Sequence, residues 1–235
     1  MIAVFKKEMR SFFTNAIGYV FLVLYLALGG AVFCYTTLFS MSADVTPFFT
    51  YMLIASGILL PLLTMKSFSE ERKIKTEQLL LTAPVSITGM VFGKFLASYC
   101  MFAGCMIINS LYFLFLTPYA VVKFGILIGN LLAILLVGLV FIAIGLFVSS
   151  LTENQLAAAI GTIAIIVGFL LIGVLASLLP STYWLRYVLN FISIFSRFQG
   201  FTNGYFDFAS AFYYLSVAGI FVYLTIRVYD RRRYG

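Results

Sequence analysis

The stretch from Phe124 to Val148 reads FGILIGNLLAILLVGLVFIAIGLFV and contains no charged residue. A helix needs about 20 predominantly apolar residues to cross the hydrocarbon core of a bilayer. This run meets that length without interruption, and it decides the fold class. Five further stretches pass the same test: Ile17–Phe39, Phe48–Met65, Phe95–Leu116, Leu156–Leu179 and Ala209–Val228. The intervals between them carry the breaks. Asp44 and Pro47 interrupt the first, Pro118 and Lys123 the third, and Thr152–Gln155 is a short polar turn. The chain therefore reads as an all-α integral membrane protein with six spans and a single membrane domain over residues 1–235.

Composition supports the same class. The 235 residues are 63% hydrophobic and only 10% charged, against about 25% charged in an average soluble domain. Too few charged side chains exist to cover a water-soluble globule of this size. A soluble enzyme and a free nucleic-acid binder are excluded on that ground. The formal charge of +7 is a topology signal instead. Lys6, Lys7, Arg10, Lys66, Arg72, Lys73, Lys75, Lys94, Arg227, Arg231, Arg232 and Arg233 fall on one side of the six-span arrangement, and Lys123, Arg186 and Arg197 on the other. The excess of cations places the first side in the cytoplasm and, with it, both termini. Lys94 and Arg227 lie near the inner ends of spans, where they are expected to snorkel to the interface. The first apolar run shows no cleavage site and is expected to remain in the mature protein.

Several chemistries are missing. The chain has no histidine, so a His-based metal site or catalytic base is excluded. Cys34, Cys100 and Cys105 lie inside apolar runs at spacings that fit neither a CxxC pair nor a disulfide framework. No Asp or Glu occupies the middle of a span, which argues against an ion-coupled carrier and an intramembrane aspartyl protease. The Gly93-Lys94 pair is followed by Phe95 and has no upstream glycine at phosphate-loop spacing, so it is not a Walker A loop. The chain is expected to bind no metal or cofactor of its own and to have no enzyme activity. Any energy would come from another subunit.

Three segments outside the spans hold the remaining information. Near the N-terminus, Ile2, Phe5, Met9, Phe12 and Phe13 recur at helical spacing, with Lys6, Lys7 and Arg10 toward the other side. This suits an amphipathic helix over residues 1–16, lying in the inner interface; a plain basic flank that orients the first span is the simpler reading. Between spans two and three, residues 66–88 carry the densest charge. Ser69 can cap a helix whose first turn holds Glu70, Glu71 and Arg72. Pro84 breaks the next helical piece, and Ser86 can start the following helix. The segment is either a docking element for a cytoplasmic partner or a solvated charged loop. Residues 180–208 form an aromatic connection in which Trp184, Tyr187, Phe191, Phe195 and Phe198 recur every three or four positions. That spacing suits a short helix in the outer interface, with an interfacial belt as the plainer alternative. Gly89 and Gly93, Gly125 and Gly129, and Ala157 and Gly161 give small-xxx-small patterns that allow close helix approach.

The sequence Ser69-Glu70-Glu71-Arg72, followed by Thr76-Glu77, Leu79-Leu80, Pro84-Val85 and Gly93-Lys94, resembles the permease subunit of bacterial type-two ABC exporters. It is most similar to the short permeases grouped with gliding-motility and copper-site-maturation transporters. The resemblance extends over nearly the whole chain. It implies that the 66–88 loop holds a coupling helix seated in a groove of a separate ATP-binding subunit, which would bind ATP and Mg. Ser69, Glu70, Glu71, Arg72, Thr76 and Glu77 would then be the coupling residues. Phe5, Lys6, Met9, Arg10 and Phe13 would form an elbow helix touching the same ATPase. Short re-entrant helices before the last span would carry an outer gate region containing Trp184, Tyr187, Phe191, Phe198 and Gly200. Two permease chains, identical or related, would pair with two ATPases in a bacterial cytoplasmic membrane, with lipid and an extracytoplasmic auxiliary protein as further partners. A force-transmitting component driven by the same kind of ATPase, without cargo, is the alternative. The absence of midplane charge suits an amphiphilic cargo.

Overall fold

The computed structural model describes residues 1–76, 86–119, 123–178, 184–202 and 207–234. Among these residues there is no strand, and ten α-helices follow in order: α1 Ile2–Thr14, α2 Ala16–Phe33, α3 Thr46–Lys73, α4 Ile87–Ser110, α5 Tyr112–Leu116, α6 Phe124–Leu151, α7 Gln155–Leu178, α8 Trp184–Ile192, α9 Ile194–Thr202 and α10 Phe208–Tyr234. A wide π segment, Cys34–Phe39, continues α2. Six helices are long and apolar enough to cross a membrane: Ala16–Phe39, Thr46–Lys73, Ile87–Leu116, Phe124–Leu151, Gln155–Ala176 and Phe208–Arg233. The protein is an all-α, multi-pass membrane protein.

The uncharged run Phe124–Val148 lies within the central helix, α6. α6 packs against α3, α10, α4 and α7, and Ile134, Val140, Phe141, Ile142 and Ile144 are buried in it. Small residues bring neighbours close to its axis. An added Cβ at Gly145 would lie 2.1 Å from Thr64 Oγ1, and one at Gly138 would lie 2.0 Å from the Phe102 ring. In lipid, such backbone-level contact and dispersion hold helices together, because the hydrophobic effect does not distinguish helix from acyl chain. Tyr25 fills the junction of α2, α3 and α4; its hydroxyl lies 2.7 Å from Ser56 Oγ, and its ring meets Phe102 edge-on at 5.8 Å.

Consecutive spans alternate in direction. The start of α2, the end of α3, the start of α4, the end of α6 and the end of α10 therefore gather at one end of the bundle, beside α1. Three details differ from the sequence reading. Residues 66–73 continue the second span instead of starting a loop, so Ser69 lies inside α3, fully buried, with its hydroxyl donating to the Met65 carbonyl. Gly89 and Gly93 receive α1: an added Cβ at Gly93 would lie 3.0 Å from Val4, and one at Gly89 would lie 3.3 Å from the Met1 nitrogen. The aromatic connection folds as two helices, because Ser193 interrupts the repeat and its Oγ accepts the Ser196 N–H at 3.1 Å, an N-cap for α9. The expected cap at Ser86 is present, with Oγ accepting from Gly89 N at 3.2 Å.

Candidate functional site

The site is built around Lys94, on the second turn of α4. Its side chain is 2% exposed and lies between two carboxylates: Glu8 of α1 at 3.0 Å and Glu71 of α3 at 2.9 Å. Nζ also donates to the Ser67 carbonyl at 2.7 Å and sits 5.1 Å from the centroid of the Phe68 ring. Lys94 therefore does not snorkel. The glycines of α4 let α1 lie across its first turns, which closes the lysine's path to water. Glu8 and Glu71 supply the counter-charge that the solvent cannot.

Lys7 completes the cluster from the rim, 3.1 Å from Glu71 and 3.8 Å from Glu8. Partial burial pulls its pKa down, but the Glu71 carboxylate, through charge and hydrogen bond, and Glu8 together leave it above the ordinary lysine range. Two lysines and two glutamates thus join the first helix to the facing ends of α3 and α4. A cleft of about 330 Å³ opens beside them, lined in part by Lys7, Glu8, Lys66, Glu70, Glu71 and Lys94.

A second ring of polar contacts fixes the end of α3 against α6 and holds the terminus of α6. Ser149 Oγ accepts the Phe68 and Ser69 N–H groups at 3.1 and 3.2 Å and donates to Met65 O at 3.0 Å. Arg72 pairs with Glu153 at 2.9 Å and donates to Leu151 O at 3.0 Å. Arg232 of α10 donates to Ser150 O at 2.7 Å. Two arginines thus meet the terminal carbonyls of α6, where the helix dipole favours cations.

Of the coupling residues read from the sequence, Ser69, Glu71 and Arg72 are engaged within the chain. Glu70 is the more open group, 42% exposed in a 3.8 Å pair with Lys66. Thr76 Oγ1 donates to Glu71 O at 3.3 Å, and Glu77 lies outside the described residues. In α1, Phe5 and Met9 are half-buried, while Lys6, Arg10 and Phe13 are exposed. Sequence reasoning missed Glu8, Lys94, Ser149 and Glu153. One signal was available for Glu8: it follows Val4 by four and precedes Phe12 by four, which places the helix's one acid on its packed face.

At the opposite end, α9 buries Ile194, Phe198 and Phe201, whereas Trp184, Tyr187 and Phe191 of α8 are exposed. Arg197 stacks between Phe191 and Tyr213, 4.6 and 4.4 Å from the ring centroids. Asp207 caps α10. The Ser210 hydroxyl holds its pKa below the ordinary carboxylate range against a burial effect of opposite sign, helped by the Ala209 and Ser210 N–H groups and Arg197. Gly200 stands nearby: an added Cβ would lie 3.8 Å from Asp207 Oδ2. Among the described residues no group of His, Cys, Asp and Glu could hold a metal ion.

Residues 35–228 match the model of the ABC-2 family transporter proteins, and the chain belongs to that family. No curated protein matches it. Membership makes the chain a transmembrane ABC transporter component and implies an ABC ATPase partner in general. The matched region includes Glu71 and Lys94 and begins after Glu8.

Proposed function

We propose that this chain is the permease of an ATP-driven exporter in a bacterial cytoplasmic membrane. Two permease chains would work with two ATPase subunits that bind ATP and Mg. The observation that carries the reading is the Lys94 cluster. Residues 74–86 leave α3 and return as α4, and the cluster ties both ends of that loop to α1 through Glu71, Lys94 and Glu8. A displacement of the loop by an ATPase would reach two spans and the elbow helix together, as one body. In this scheme Glu71 and Arg72 are positioning residues that hold the base of the loop. Glu70, Thr76 and Glu77 face the partner, alongside Lys6 and Arg10 of α1. Within the family, the loop motif supports a place with the gliding-motility and copper-maturation group, and an amphiphilic cargo fits spans without acidic residues at their middle.

Charge reversal tests the coupling role. Glu70→Lys should leave expression unchanged and lower co-purification of the ATPase roughly five-fold, the scale of one exposed ion pair doubled by a repulsion. Lys123→Glu, at the opposite end, should leave it unchanged. A partner released by Lys123→Glu and retained by Glu70→Lys would refute the assignment. Export itself is read as ATP-dependent movement of an amphiphile into sealed vesicles; an assembly with a bound, active ATPase and no movement of any cargo would favour the force-transmitting alternative.

The orientation rests on the distribution of Lys and Arg. With Cys34, Cys100 and Cys105 removed, a cysteine at exposed Lys73 should be protected from an impermeant maleimide on intact cells, and one at Asp44 labelled. The reverse pattern would invert the topology.

A further inference from the structure

We infer that the face between α4 and α10 is a binding site for an anionic phospholipid, separate from any cargo route. A groove of about 350 Å³ opens there, lined almost wholly by apolar atoms. Phe92 and Phe95 form one wall, Leu139 of α6 contributes to the lining, and Leu215, Gly219 and Ile226 of α10 form the other wall. Gly219 opens its floor: an added Cβ there would meet nothing within 4 Å.

The occupant is set by length and by charge. From Leu215 to Ile226 the helix rises roughly 16 Å at 1.5 Å per residue. One leaflet of the hydrocarbon core is about 15 Å deep. The groove therefore runs about the depth of a single acyl chain, in the direction of the α1 end. Arg227 stands where it stops. Its Nε donates to the hydroxyl of Tyr223, a lining residue, at 2.7 Å, and its guanidinium lies 5.2 Å from that ring. Arg231 follows one turn later on the same exposed face. Asp230 is the one acid in this last stretch of α10, and it leaves the segment strongly cationic. An apolar slot one leaflet deep, ending under a held arginine and a second one beyond it, suits an acyl chain with an anionic headgroup. A second copy of the chain is disfavoured as occupant, because a two-fold contact through this face would bring Arg227 and Arg231 toward their own equivalents.

The test uses the full chain purified in mild detergent with phosphatidylglycerol and phosphatidylcholine in equal amounts, read by native mass spectrometry. Wild type should retain phosphatidylglycerol about five-fold over phosphatidylcholine. Arg227→Gln should lower that preference toward equality while lipid is still retained. Gly219→Leu should fill the slot and abolish retention of both lipids, with helicity and melting temperature kept, because leucine is the better helix former and enters open space. Equal retention of the two lipids by wild type would overturn the proposal. So would wild-type retention of both lipids by Gly219→Leu.

Discussion

Replacing Lys94 with methionine is expected to destabilise the protein more than any other single charge deletion. The ammonium is 2% exposed, and its removal leaves Glu8 and Glu71 facing each other across an enclosed space. Deleting one partner of a buried ion pair costs about 3–5 kcal/mol, because the remaining charge keeps its desolvation penalty and loses its compensation. Here two carboxylates lose their buried partner, one on α1 and one on α3, and keep only the exposed Lys7, 3.1 Å from Glu71 and 3.8 Å from Glu8. In a chain of this size that cost corresponds to a fall in melting temperature of roughly 10 °C, measurable on detergent-solubilised protein by the fluorescence of Trp184. The informative comparison is the triple variant Lys94→Met, Glu8→Gln, Glu71→Gln. Removing all three buried charges should recover most of the loss, since burial without charge carries no ionic desolvation penalty and Lys7, on the rim, keeps its access to water. A single Lys94→Met variant as stable as wild type would show that the cluster does not hold the three helices. A triple variant no better than the single would show that Lys94 acts through packing on Phe68.

Much of the fold was legible because six spans need only local information. Each is a run of apolar residues longer than the bilayer requires, and Pro47, Lys123 and Thr152 mark breaks between them. The site was not legible in the same way. Lys94 sits one turn from a span's end, where an isolated helix would let it reach the interface, and only the crossing of α1 over Gly89 and Gly93 forbids that. Its partners are 86 and 23 positions away in sequence, and no periodicity links them. Ser69 illustrates the converse error. A serine before two glutamates looks like a helix start, yet in this fold α3 has already run past it, and Ser149 of α6 accepts its N–H. The glycine pairs were legible as close-approach sites, while the identity of the approaching element was not: at Gly89 and Gly93 it is this chain's own first helix.

The junction between α1 and α2 should be equally sensitive, for a steric reason. Asn15 adopts an extended conformation between the two helices, and Gly18 then passes directly beneath the last turn of α1. An added Cβ at Gly18 would lie 1.9 Å from the Phe12 carbonyl oxygen, 2.6 Å from its carbon and 2.9 Å from Cα. All three are backbone atoms, so no rotamer change relieves the clash, and α1 as a whole must move. Glu8 lies one helical turn before Phe12 and would be drawn away from Lys94 with it. Alanine is intrinsically about 1 kcal/mol better than glycine inside a helix, so propensity alone predicts stabilisation by Gly18→Ala. Overpacking against fixed atoms costs typically about 1–3 kcal/mol and should reverse that sign. The expected readout is undocking of α1, seen as tryptic cleavage after Lys6, Lys7 or Arg10 at least about ten-fold faster than in wild type, the scale of a 1.4 kcal/mol shift in a local opening equilibrium. Gly30→Ala is the matched control, because an added Cβ there meets nothing within 4 Å on the same helix; it should be neutral or slightly stabilising. If the two alanine variants were cleaved at the same rate, α1 would not be anchored by its passage over Gly18, and the charge cluster alone would have to hold it in place.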